Sequence, residues 1–166
     1  MSYDFYVTGA ADNWHEPTFS DTHPAFDSDG AAGVVMLTDQ GYSRCGNYTS
    51  NVSWMWTRCL TAVIDEFPDL YVLRGEDDRR HLARDIDRPR TVYADRMCLR
   101  DLHGARMADI APLLARAVEW GVEHIDELRE GNPANGWGNA EGAITYLWDI
   151  QRTCEQCPDG TLGICS

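Results

Sequence analysis

The chain predicts an α+β fold, a small and mostly antiparallel sheet covered on one face by helices, including a C-terminal antiparallel helix hairpin. Three observations lead there. Short strand-like runs stand at both ends of the chain, over residues 3–8 and 161–165, and terminal strands need a common sheet. Two long segments near the C-terminus repeat apolar residues at three- and four-residue steps, with a short Pro, Gly and Asn stretch between them, which is the pattern of an αα-hairpin. A length of 166 residues supports one ordinary core. Residues 1–166 therefore read as a single domain, with a long loop or insertion at about 9–32.

The elements follow in order. Residues 3–8 alternate and are rich in aromatic and β-branched side chains, so they predict a strand. Asp, Pro, Gly and His dominate residues 9–32, a loop composition. A second short strand is expected over 34–38, and 41–50 is polar and irregular. From Asn51 the period changes. Val52, Met55, Cys59, Ala62 and Val63 mark an amphipathic helix over 51–66, ended by Phe67-Pro68-Asp69. Residues 70–73 suggest a third strand, 76–86 a short solvated helix or loop, and 91–93 an extended piece.

The last third is clearer. Ile110, Leu113, Leu114, Ala117, Val118, Val122, Ile125 and Leu128 form one stripe of a helix over about 108–130. Pro112 is tolerable if it falls in the first turn. Gly131 is the expected C′ residue, and Pro133 blocks continuation. Asn139 is a good N-cap for the next helix, whose buried face is Ala140, Ala143, Ile144, Leu147, Ile150 and Cys154. Pro158-Asp159-Gly160 makes a turn before the closing strand.

Charge and composition exclude several functions. Twenty-seven acids against fourteen bases leave a formal charge of −13, which argues against direct binding of nucleic acid, since phosphate contacts need clustered cations. Every base is Arg. Without Lys there is no lysine Schiff base and no P-loop lysine. The longest apolar run, Gly33-Val34-Val35-Met36-Leu37, is far too short for a membrane span. The first residues have no basic or apolar region of a secretory signal, so the expected location is cytoplasmic and the six cysteines are expected as free thiols. Cys154 and Cys157 have zinc-knuckle spacing, followed by Cys165, but no second pair completes a four-ligand site. No metal and no cofactor is expected.

Two polar motifs stand out. Around Asn47, Tyr48, Thr49, Ser50 and Asn51, small hydrogen-bonding side chains crowd the start of a helix, and Trp54 and Trp56 follow at once. Such a terminus favours an anion or carbonyl, and the aromatics offer flat faces for stacking. The plain alternative is that Ser50 or Asn51 caps the helix, Thr49 closes a turn and one Trp fills the core. The second motif, residues 132–139, holds Asn132, Asn135, Trp137 and Asn139. It reads as a helix–helix turn in which Asn135-Gly136 supplies positive φ. It also carries more amides than a turn requires, and an amide suits the edge of another amide or of a nucleobase.

Taken together, Tyr3-Asp4, the run from Asn47 to Ser53 with Met55-Trp56, Leu102-His103-Gly104 before Pro112-Leu113-Leu114, and Asn132-Pro133 with Asn135-Gly136-Trp137-Gly138 resemble a family of small phage and bacterial proteins without an assigned activity. The resemblance spans about 47–157, with the first strand added. Family members lack much of the 9–32 loop, and many have His in place of Cys157, which weakens a metal role for that cysteine. The resemblance implies a phage origin, a host-cell cytoplasmic location and, in that setting, a part in sequestering a signalling nucleotide of host defence. It supplies no mechanism.

The function expected is therefore binding of a small molecule, nucleotide-like or amide-bearing, in a pocket that joins Asn47, Tyr48, Thr49, Ser50, Asn51 and Trp56 to Asn132, Asn135 and Trp137. The alternative is an acidic protein-interaction module that inhibits a basic host protein or mimics a nucleic acid for it. An enzyme comes last, because no general base or catalytic residue is identifiable. Its best versions are a divalent ion held by His15, Glu16, Asp21 and His23, or a thiol at Cys45 beside Arg44. Arg79, Arg80, Arg84, Arg88 and Arg90 are read as pairing with neighbouring acids.

Overall fold

Strand β1 (Ser2–Thr8) lies between β2 (Gly46–Thr49) and β6 (Thr161–Cys165) in a three-stranded antiparallel sheet. The structure is a computed structural model and describes residues 2–10, 14, 19, 21–26, 46–74, 79–82, 91–93 and 96–165. The alternation of β1 sets the register: Phe5 and Val7 face the core opposite Ile164 and Leu162 of β6. Such cross-strand apolar pairs contribute about 0.5 kcal/mol each. On the other face Tyr6 lies over Gly163, where a Cβ would sit 2.2 Å from the ring. The outer edge of β6 is closed by the chain before the second helix. Leu162 exchanges main-chain hydrogen bonds with Gly104 and Ala105, and the His103 imidazole Nδ1 accepts from Ile164 N–H at 2.9 Å. A covered edge cannot template pairing with another chain.

Helix α1 (Ser53–Val63) packs on this sheet together with α2 (Met107–Glu123) and α4 (Ala140–Gln156), and the short α3 (Ile125–Arg129) joins the last two. The α+β class, the sheet and the C-terminal helix hairpin are as the sequence predicts. The core centres on Trp56, which is 0% exposed. Its ring meets Tyr3 of β1 edge-on at 5.2 Å and Tyr146 of α4 at 5.1 Å. Its indole N–H donates to Ala143 C=O at 3.0 Å, and Tyr146 O–H donates to Tyr3 C=O at 3.0 Å.

Several elements depart from the expectation. Residues 46–49 form a strand and not an irregular loop, because β1 offers its second edge there, with Tyr3 opposite Tyr48 and Asp4 opposite Asn47. Arg79–Leu82 is strand β4, paired with β3 (Tyr71–Arg74) and β5 (Thr91–Tyr93) in a second antiparallel sheet. Main-chain pairing on both sides overrides the charged composition that suggested a helix or loop. The long helix expected over 108–130 is broken at His124. Trp120 C=O accepts both the His124 N–H at 3.0 Å and the imidazole Nδ1–H at 2.8 Å, with the ring stacked on Trp120. A side chain that competes for a helical carbonyl ends the regular ladder. Pro112 sits in the second turn of α2, beyond the first-turn position expected for it, on an exposed face. In α1 Leu60 is buried and Ala62 is exposed. The strand expected over 34–38 lies outside the described residues.

Helix α4 is buried on two faces. The predicted face, Ala140, Ala143, Ile144, Leu147, Ile150 and Cys154, is wholly in the core. A second face, Thr145, Trp148, Asp149 and Arg152, lies under part of the predicted 9–32 loop. Arg152 donates to both oxygens of Asp21 at 3.0 and 3.1 Å and to Asp149 at 2.5 Å. Its guanidinium stacks between Phe19 at 3.8 Å and Trp148 at 3.5 Å. His23 N–H donates to Thr145 Oγ1 at 3.2 Å while its ring meets Trp148 edge-on. Phe19 and residues 21–26 are thus strapped to the helix by one cation between two carboxylates and two rings.

Burial pushes the Asp149 carboxyl up to about 7; the Arg152 hydrogen bond and charge oppose this, and Asp21 adds to it. A raised folded value means that the native state holds a proton the unfolded chain has released. This contribution to stability is full below the ordinary value of 3.8 and is lost as pH rises through about 7. His23 has the opposite sign. Burial and then Arg152 lower its value, so its contribution is full above the ordinary 6.5 and is lost as pH falls. We expect Asp149→Asn to gain stability relative to the parent as pH rises from 5 to 8, measured by urea unfolding at each pH; a difference independent of pH would count against this. Removing the cation leaves Asp149 buried without its partner. Arg152→Ala should therefore cost about 3 kcal/mol at pH 8 in the same assay.

Candidate functional site

The first motif touches the residue that precedes the second. Trp54 leaves the first turn of α1 on the face opposite Trp56, and its ring lies directly over Gly131, where a Cβ would be 2.2 Å from Cζ2. Gly131 opens the loop that holds the second motif. It does not adopt the left-handed conformation expected of a C′ residue; its N–H donates to Leu128 C=O at 3.2 Å. Glycine is needed there because an indole occupies the place of a side chain. Helix α4, which follows the loop, packs against β2, the strand of Asn47, Tyr48 and Thr49.

The loop is built by its own amides. Asn132 Oδ1 accepts from Ala140 N–H at 2.8 Å, Asn135 Oδ1 from Trp137 N–H at 3.0 Å, and Asn139 Oδ1 from Gly142 N–H at 2.8 Å. The last is the N-cap that the sequence predicts. Gly136 closes the turn, with φ +70° and its N–H on Pro133 C=O. Each oxygen is tied to a backbone N–H, and among the described residues the Nδ2 groups of Asn132 and Asn135 have no acceptor. Trp137 stands beside them at 70% exposure, and Trp54 is 40% exposed; these are the large exposed hydrophobic side chains among the described residues.

The cations that flank this face in sequence are engaged. Arg58 pairs with Glu127, while Arg129 pairs with Glu141 at 2.6 Å and with Asp126 at 2.7 Å. Glu141 is a buried carboxylate in the first turn of α4.

The expected site residues divide accordingly. Asn132, Asn135 and Trp137 share one exposed loop. Ser50 is half-buried and Asn51 exposed in a 3-10 turn that precedes α1, and the N-cap of α1 is Val52, which makes no side-chain cap. Asn47, Tyr48 and Thr49 lie on β2 opposite Asp4, Tyr3 and Ser2. Trp56 is corrected to a core residue, because its ring is enclosed and its N–H is satisfied inside the fold. The exposed aromatic of the first motif is Trp54, about 200° around the helix from Val52, a position that a helical wheel of the apolar stripe assigns to the surface.

The other constellations give less. Asp21 binds Arg152, and His23 Nδ1 accepts from Ala25 N–H, so both serve the strap; His15, Glu16 and Cys45 lie outside the described residues. Among the described residues no group of three or more His, Cys, Asp and Glu is placed to hold a metal ion. Burial pushes the thiols of Cys59 up to about 12 and of Cys154 beyond that, so neither is a nucleophile at neutral pH. Among the described residues no helix is long and apolar enough to cross a membrane. No family model, no curated protein and no solved structure matches the chain.

A side chain at 131 tests the junction of the motifs. In Gly131→Ala the new methyl group displaces the Trp54 ring, which is half-exposed and free to swing. We expect a loss of only about 1 kcal/mol by chemical denaturation, with a clear change in the Trp54 indole N–H resonance. An unchanged resonance would mean that the ring does not rest on residue 131.

Proposed function

We propose that this protein binds a small molecule carrying a nucleotide-like or amide-bearing ring, on the face formed by Trp54, Asn132, Asn135 and Trp137, with Asn51 at its margin. The observation that carries this reading is the pairing of an indole at 70% exposure with two amides whose oxygens are tied to backbone N–H groups. An exposed Trp on a loop held by its own hydrogen bonds has little packing role, and its π-face suits stacking on a planar ring. Outward amide nitrogens suit acceptor atoms on the edge of that ring.

Acidic mimicry is supported less well. It asks for an unbroken run of carboxylates, whereas Glu66, Glu119, Asp126, Glu127 and Glu141 are interleaved with and paired to Arg116, Arg129 and Arg58.

Mass spectrometry of protein denatured directly from cells, with a thermal-shift panel of nucleotides, nucleosides and ring amides, tests the reading. A ligand at about a hundredfold its Kd should raise Tm by about 5 °C or more. Trp137→Ala should abolish that shift and leave the ligand-free Tm unchanged, since the side chain is outside the core. No released molecule and no shift across the panel would overturn the proposal, as would a shift that survives Trp137→Ala.

A further inference from the structure

Three features of the same face define the charge of its ligand. First, the N-terminus of α4 is the place where the fold offers backbone N–H groups and a helix dipole to an anion. Two of its first three N–H groups already have side-chain acceptors. Asn132 takes the Ala140 N–H, Asn139 takes the Gly142 N–H, and the Asn139 carbonyl takes the Ala143 N–H. The buried Glu141 carboxylate stands in the same turn, so the dipole already has its negative charge. Second, the flanking guanidinium groups are engaged. Arg129 spans Glu141 and Asp126, and Arg58 meets Glu127. A phosphate would have to displace a carboxylate from one of them. Third, the protein carries −13 overall, and Glu130, exposed and next to Gly131, adds a negative charge at the start of the loop. Among the described residues, a phosphorylated ligand therefore meets repulsion with no compensating donor cluster.

What remains is uncharged: the face of Trp137 and the Nδ2 donors of Asn132 and Asn135. We infer that the ligand is an uncharged planar ring with acceptor atoms on its edge, a nucleobase, a nucleoside or a ring amide, held without its phosphate. This rests on the binding reading above and restricts it to one class of ligand. It runs against the signalling nucleotide that the family resemblance implies.

The test is a titration of the full chain, followed by the Trp137 indole N–H resonance assigned with Trp137→Phe. The probes are the free bases, nicotinamide as a ring amide, and adenosine, guanosine, cytidine and uridine with their 5′-monophosphates, at 50 mM and at 300 mM salt. The expected result is saturable binding of at least one nucleoside, with its monophosphate weaker by about threefold or more at low salt and the gap narrowing at high salt. Asn135→Ala should weaken the nucleoside about tenfold, by removing one donor hydrogen bond and the turn that presents Trp137. A monophosphate that binds as tightly as its nucleoside, or more tightly, overturns this inference and leaves the binding reading standing. If no nucleoside, base, ring amide or monophosphate moves the Trp137 signal, the binding reading itself fails.

Discussion

Trp56 has to be enclosed, and its indole N–H has to find an acceptor inside the fold. A buried donor left unpaired costs about 1 to 3 kcal/mol, so the position of the Ala143 carbonyl is constrained by a residue 87 positions away. Tyr146, one turn further along α4, returns the constraint to the sheet through its hydroxyl on Tyr3. Three elements from the start, middle and end of the chain are fixed to one another by two hydrogen bonds and a cluster of rings. Each ring pair adds about 1 kcal/mol beyond the area that it buries. Once α4 is pinned at Ala143 and Tyr146, its N-terminus can lie in only one place. The loop of residues 131–139 is held between that terminus and the end of α3.

The strap formed by Phe19 and residues 21–26 depends on the same helix. The core takes one face of α4, and a helix with a single apolar face leaves the other in water. Here Thr145, Trp148, Asp149 and Arg152 take up the second face by gripping a distant segment. Arg152 is suited to this because its planar guanidinium can stack and donate at once. The helix is enclosed nearly all round, although its sequence is no more apolar than that of a surface helix.

Much of this was legible before any coordinates. The terminal strands, the helix from α1, the hairpin of α2 and α4 and the Asn139 cap follow from periods of two and of 3.6 residues and from cap chemistry, which are local. Most of the departures are non-local. The charged Arg79–Leu82 pairs as a strand because of two neighbours that its composition does not specify. His124 breaks a helix through a side-chain bond to the preceding turn, which periodicity does not register. The strap joins residues more than 120 positions apart. In the candidate site the helical wheel places Trp56 in the core and Trp54 at the surface. The two indoles are separated by about 200° on the helix, and only one of them falls in the stripe of Val52, Met55 and Cys59.

Capping and recognition stood as competing explanations of the Asn-rich loop, but an amide has two ends that do different work. The oxygen of Asn132 ties the loop to the first turn of α4, and that of Asn135 ties the loop to itself. With each oxygen fixed, the planarity of the group fixes the nitrogen on the opposite side. A residue chosen only to cap could equally be Asp or Ser, which accept as well as Asn does. Neither would leave an amide donor directed outward, and Asp would add charge. On the proposed reading the asparagines are therefore the residue type that serves both ends. The same hydrogen bonds that complete the fold hold the donors and the indole in place before a ligand arrives, which lowers the ordering cost of binding.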